Sequence, residues 1–201
     1  MITIIDYDAG NLRSVEKALL YIGEDVIVSA DHERIRSSSK VILPGVGSFQ
    51  DAMDKLRTAG LDDTIREVVA RGVPFLGICL GMQLMYNHSE EGNVPGLGIL
   101  SGEIRRFPDN LGLKIPQIGW NSLDRLNGPS ILLQNTQEAP FVYFVHSYYV
   151  DAADVTSVKA TTHYGITPHV LVEKDNIFLT QFHPEKSGET GLQMLRNFAA
   201  L

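Results

Sequence analysis

The chain has 201 residues, 44% of them hydrophobic, enough for one well-packed core, so a single domain spanning 1–201 is expected. A formal net charge of -7 argues against broad nucleic-acid or anionic-membrane binding, because both need a basic surface. The single cysteine excludes an internal disulfide and suits a reducing, cytoplasmic setting.

The first residues, MITIIDYDAGN, carry acids and no basic leader, and MITIID reads as a buried strand. In NLRSVEKALLYIG, Leu12, Val15, Leu19 and Ile22 recur at helical spacing, with Asn11 as N-cap and Gly23 as the stop. DVIVS and KVILPG are short apolar strands separated by the polar, helical DHERIRSS, an alternation that predicts parallel strands covered on both faces. After PGVG, the stretch Ser48 to Asp51 resembles a capping box, and the helix it opens should stop at Gly60. A second helix runs from about Asp62 to Arg71, where Gly72 and Pro74 end it; PFLGI supplies a fully apolar strand, and LGMQLMY is helical again directly after Cys79. This apolar run is broken by Gly and Gln and is shorter than the roughly 20 residues of a membrane span.

From about Gly96 the texture turns β-rich: LGILSGEIRRF, FVYFVHSYYV, SVKATTHYG and HVLVEKDNIFLTQFH, the last with a hairpin turn at Lys174 to Asn176. A closing helix, GLQMLRNFAAL, repeats the apolar spacing at Leu192, Leu195 and Phe198. The expected architecture is α/β, a mostly parallel central sheet flanked by helices with a mixed, β-rich second half.

Gly77-Ile78-Cys79-Leu80-Gly81 has the spacing of a nucleophile elbow, with a small residue two positions before and after a nucleophile on a strand-to-helix turn. A helix N-terminus favours thiolate over thiol, and its N–H groups, that of Leu80 among them, can meet an oxyanion. Cysteine is also a common small buried hydrophobe, so the elbow alone leaves both readings open. In QFHPEKS, His183 and Glu185 are two apart in an extended segment and leave the backbone on one side, so that Glu185 can orient the imidazole while its other nitrogen serves the thiol. A solvated turn is the alternative. PGVG follows a third strand and suits an oxyanion hole, or an ordinary glycine turn; it lacks the third glycine of a dinucleotide loop. His146 shares a strand face with Val142 and Phe144 and has no carboxylate at short range, which makes His183 the preferred base and puts His146 at the substrate. His32, His88, His163 and His169 show no metal-ligand spacing near a second cysteine, so no zinc site is expected.

GICLGMQ followed by QFHPEKS resembles the class I, or triad, glutamine amidotransferases. With YDAGNLRSV, LPGVGSF, IGWN, YFVHSY and HPEKSG in this order, the chain is similar over nearly its whole length to the family of glutaminase subunits of imidazole glycerol phosphate synthases. The resemblance implies a flavodoxin-like class I amidotransferase fold and hydrolysis of L-glutamine to glutamate and ammonia, without a cofactor. It makes Cys79, His183 and Glu185 the catalytic triad and gives the oxyanion to Val46, Gly47 and Leu80. Gly45, Gln83, Glu91, His146, Ser147 and Tyr148 fall around the glutamine. The implied partner is a (β/α)8-barrel synthase/cyclase subunit, forming a heterodimer for histidine biosynthesis, with Asn11, Trp120, Asn121, Tyr143 and Lys186 at or near the interface; the residues alone leave Trp120 between exposed anchor and core packing. Gln117 stands where the family often has His, and Met82 where related glutaminases more often have His before the glutamine. A glutaminase for another synthase, and a noncatalytic flavodoxin-like binding protein with Cys79 in its core, are the alternatives.

Overall fold

Strand β1 (Ile2–Ile5) is buried along its whole length in a computed structural model that describes every residue except Ala9. Parallel partners flank it: β2 (Val26–Ser29) on one side and β3 (Lys40–Gly45) on the other. The parallel run continues from β3 to β4 (Phe75–Cys79) and from β4 to a strand late in the chain, Ile177–Thr180. Covering helices are needed on both faces of such a sheet, and the pleat divides its side chains between them. Ile5, Leu43 and Phe75 point to a core built with α2 (His32–Arg36), α3 (Phe49–Thr58) and α4 (Leu61–Ala70). Ile4, Ile42 and Leu76 point to the opposite core, filled by Val15 and Leu19 of α1 (Leu12–Tyr21) and by Leu195 and Phe198 of the last helix. The one hydroxyl in β1, on Thr3, is satisfied by Ser38 Oγ at 2.6 Å.

After β4 comes α5 (Leu80–Gln83). Beyond it the short β5 (His88–Ser89), β6 (Val94–Pro95) and β7 (Gly102–Arg106) form the far edge of the sheet. β8 (Gln117–Ser122) and β10 (Phe141–His146) form a separate antiparallel ribbon, with β9 (Asp124–Arg125) between them in sequence. β11 (Tyr148–Ala152), β12 (Val158–Thr161), β13 (His169–Lys174) and β14 (Ile177–Thr180) then bring the chain back to β4, and α6 (Gly188–Ala199) closes it. The large sheet runs β2-β1-β3-β4-β14 in parallel and continues through β13, β11 and β7, where antiparallel pairing takes over. The expected mixed second half and the β13–β14 hairpin are both present.

Four local expectations change. FVYFVHSYYV is two strands in two sheets, parted at Ser147, since β10 pairs with β8 while β11 pairs with β7. Helicity after Cys79 stops at Gln83: Leu84 to Tyr86 leave the helix to bond residues 97–100, with Leu97 N–H donating to Leu84 O and Leu100 N–H to Met85 O. Asn11 occupies the N-cap position with φ 74°, but its side chain makes no capping bond and is used elsewhere, as described below. The closing helix starts at Gly188, ahead of GLQMLRNFAAL, and within it Gly191 lies so close to the Pro184 carbonyl that only a hydrogen fits.

Candidate active site

β3, β4 and β14 run in parallel and in register, so their carboxyl ends deliver Gly45, Cys79 and the segment after Thr180 to one rim of the sheet, where α/β folds place ligands. Cys79 has φ 56° and ψ -110°, a conformation that costs a non-glycine residue about 1–3 kcal/mol and persists only where its surroundings impose it. Here they do. A Cβ on Gly77 would stand 2.7 Å from the Leu179 side chain and 2.8 Å from Gly81 O, and one on Gly81 would collide with Leu43 O. The two glycines therefore let β4, α5 and β3 close around the turn, leaving the Leu80 N–H in the first turn of α5, without an intrahelical acceptor.

His183 and Glu185 meet as expected, but by a different backbone route. His183 is extended, whereas Pro184–Lys186 is a 3₁₀ turn; that turn, not strand alternation, swings Glu185 back so that His183 Nδ1–H donates to Glu185 Oε1 at 2.7 Å. The same oxygen accepts from Asn11 Nδ2 at 2.7 Å. Both side chains of the pair are sealed from solvent, at 1% and 0% exposure, which argues against a solvated turn. His183 Nε2 is buried and has no hydrogen-bond partner among the described residues. Burial opposes a charge on this ring, yet Cys79 and then Glu185 outweigh it and lift the His183 pKa to about 10. Both neighbours thus favour a proton on the ring. Its backbone is fixed as well, with His183 N–H donating to Tyr143 O at 3.0 Å and Ser187 Oγ–H to His183 O at 2.6 Å.

Cys79 and His183 border a cavity of about 290 Å³ that Val46, Gly47, Leu80, Gln83, Glu91, His146, Ser147 and Tyr148 also line, together with Pro116 and Val145. Of the residues expected around oxyanion and substrate, Gly45 alone stands outside the lining, packed behind the loop. Glu91 Oε2 accepts the Phe49 N–H at 2.9 Å, tying this acid to the start of α3. Gln83 turns its amide to Gln181 Oε1 at 2.9 Å and to Tyr148 O at 3.0 Å.

His146 is the rival base, and its surroundings argue against that role. Burial lowers its pKa to about 4, so the ring is neutral and carries one N–H. Nδ1 must hold that proton, since its partner at 2.8 Å is the Tyr148 carbonyl, which can only accept. Nε2 stands 3.0 Å from Gln117 Oε1; a neutral ring with its proton on Nδ1 can only accept there, so the Gln117 amide must rotate to present its NH₂. Both ring nitrogens are occupied within the pocket wall.

Sequence reasoning missed Gln181 and Tyr7. Gln181, fully buried, directs Nε2 to Cys79 Sγ at 3.8 Å; its only signal is an amide at the end of an otherwise apolar strand. Tyr7 lies beneath the Pro44–Gly47 loop, its hydroxyl donating to Pro44 O at 3.0 Å.

The expected interface residues fall partly together. Trp120 and Tyr143 are paired across the β8–β10 ribbon and their rings meet edge to face at 6.1 Å. Trp120 is 56% exposed, beside Ile118 at 62% and Phe141 at 56%, so it is a surface residue and not core. Lys186 is exposed on the turn that carries Glu185. Asn11 reaches inward to Glu185, and Asn121 donates to His163 O at 2.8 Å.

The profile of the family described as glutamine amidotransferase class-I matches residues 3–201. Among similar sequences, imidazole glycerol phosphate synthase subunit HisH of Thermosynechococcus vestitus is 48% identical, the match covering 100% of this chain and 96% of that protein. The subunit of the same name from Chlorobium luteolum is 49% identical, with 99% of each covered. A crystal structure of a glutamine amidotransferase superimposes with a TM-score of 0.76 at 20% identity, covering 100% of this chain and 98% of the other. PurLQS from Thermotoga maritima gives 0.74 at 20% identity, covering 99% and 97%; at such identities the match speaks for the fold. The chain belongs to the class-I glutamine amidotransferases and, within them, to the family of HisH subunits of imidazole glycerol phosphate synthase.

Proposed function

We propose that Cys79, His183 and Glu185 hydrolyse L-glutamine to glutamate and ammonia, and that the ammonia passes to a (β/α)8-barrel synthase/cyclase subunit bound as a heterodimer in the cytoplasm, the whole chain acting as one domain. The Cys79 sulfur attacks the carboxamide carbon, and the carbonyl electron pair moves onto oxygen. The N–H groups of Val46, Gly47 and Leu80 receive that oxyanion. His183 gives its Nε2 proton to the nitrogen, the C–N bond breaks, and ammonia leaves a glutamyl thioester. Water then attacks the thioester while His183 takes its proton; the C–S bond breaks with its electron pair going to sulfur, and glutamate leaves with Cys79 and His183 back in the states from which the cycle began. Glu185 keeps the ring oriented throughout and offsets its charge whenever it is protonated.

One observation carries this reading: a buried His183, backed by Glu185 at 2.7 Å, aims an unpartnered Nε2 into the cavity that also exposes a strained Cys79. Glu91, the acid among the lining residues, suits the α-ammonium of glutamine. The apolar ribbon face with Trp120 and Tyr143, joined to His183 through the Tyr143 carbonyl, suits a partner surface.

The test is ammonia release from glutamine by the chain alone and with the barrel subunit and its nucleotide ligand. Cys79→Ser is expected to lose at least about a thousandfold of the stimulated rate, since removal of a covalent nucleophile leaves only binding and oxyanion effects. A normal rate for this variant in the assembled enzyme refutes the proposal.

A further inference from the structure

The segment Gly45 to Ser48, whose Val46 and Gly47 line the cavity, is held at both ends. At its far end the Phe49 N–H is held by Glu91 Oε2 at 2.9 Å, and Ser48 Oγ accepts the Asp51 N–H at 3.3 Å. Its near end is held by Tyr7, which follows β1, is only 4% exposed, and donates its hydroxyl to Pro44 O at 3.0 Å. Burial, reinforced by the charges of Cys79 and Asp51, pushes the Tyr7 pKa upward, so the phenol keeps the proton it donates.

Between these pins, Val46 is flanked by two glycines, and Gly47 has φ 101°. Glycine peptides rotate with little steric restraint, so the loop's own sequence does not fix where the Val46 and Gly47 N–H groups point. Packing at Gly45 supplies what the sequence lacks. A Cβ there would stand 2.5 Å from the Tyr7 hydroxyl, 3.0 Å from Leu80 Cβ and 3.2 Å from Gly81 N; the Gly45 backbone is clasped between the phenol and the elbow.

We propose that Tyr7 is the positioning residue of the oxyanion site: its hydroxyl, holding the Pro44 carbonyl from beneath, fixes the glycine-flanked peptides that present N–H groups to the transition state. This rests on the reading of Pro44–Gly47 as the oxyanion loop. Tyr7 does not line the cavity, so it acts through the loop and not on the substrate.

The assembled enzyme carrying Tyr7→Phe, which keeps the ring and deletes the donor, tests it. A glutamine analogue with an aldehyde in place of the carboxamide forms a tetrahedral adduct with Cys79 and so reads oxyanion stabilisation, whereas alkylation of Cys79 by iodoacetamide does not use it. Expected for Tyr7→Phe are a fall of about tenfold in kcat and in aldehyde affinity, less than the loss of a whole oxyanion donor. KM for glutamine and the alkylation rate should stay within about twofold. A merely structural role would lower thermal stability or alter alkylation without this selective loss. Val46→Pro, which removes one of the N–H groups itself, separates the two ideas. If it leaves aldehyde affinity unchanged, the oxyanion reading falls and Tyr7 with it; if it weakens the adduct while Tyr7→Phe does not, the assignment of Tyr7 alone is overturned.

Discussion

The proton on His183 is set by burial in competition with two neighbours: burial pushes it off, Cys79 and Glu185 hold it on, and the net result is a pKa of about 10 in place of 6.5. The sign of the consequence follows. The folded chain binds this proton more tightly than the unfolded chain, so the stability it contributes is complete below about pH 6.5 and is lost as pH rises through about 10. Glu185→Gln removes one of the groups that hold the proton, so its imidazole titration, followed by nitrogen chemical shifts of the ring, should have a midpoint below that of the wild type. Stability of that variant should decline less steeply between pH 7 and 10. An unchanged midpoint would mean that Glu185 does not act on the ring as the 2.7 Å contact indicates. The pairing of His183 with Glu185 was legible in QFHPEKS; the 3₁₀ turn that achieves it was not, because Pro184 is compatible with an extended chain and with the first position of such a turn.

Among the elements, β4 and α5 owe their joint to glycines that answer to different neighbours. Gly81 approaches the Leu43 carbonyl across the β3–β4 pair, whereas Gly128, at φ 77°, has nothing within 4 Å of its missing Cβ. Ala at Gly81 must displace backbone, and a loss of about 3 kcal/mol or more is expected, at the upper end of overpacking costs. Ala at Gly128 meets only the left-handed backbone penalty, about 1–2 kcal/mol. Urea denaturation of the two variants side by side checks the contrast, and equal losses would contradict the packing at the elbow. The spacing of GICLG announces such a turn, yet nothing local says that Gly81 lies against β3, since that contact spans 38 residues and depends on the order β1-β3-β4. The break at Ser147 is of the same kind: FVYFVHSYYV has strand character throughout, and only the choice of partners, β8 for one half and β7 for the other, divides it.

On the scale of the whole molecule, the β8–β10 ribbon turns Ile118, Trp120 and Phe141 outward while the alternate residues Val142, Phe144 and His146 are buried. One ribbon therefore contributes both a pocket wall and an apolar outer face. Trp120→Ala should weaken association with the barrel subunit by roughly 30-fold or more, as aromatic anchors do, and change the stability of the free chain by less than about 0.5 kcal/mol because the side chain is largely exposed. Titration calorimetry with the barrel subunit and a thermal melt of the free chain measure the two quantities; unchanged affinity would remove this face from the interface. The alternating α/β order, the apolar strands, the glycine spacing around Cys79 and the companion motif at His183 and Glu185 are legible in the chain because each is written in neighbouring residues as periodicity, turn chemistry or spacing. Long-range packing alone brings Tyr7 under Pro44, Gln181 to Cys79 and Gln117 to His146, and leaves Trp120 exposed. Each of those depends on which strand ends share a rim or which ribbon face is left uncovered, and that follows from how the strands pair across long stretches of chain.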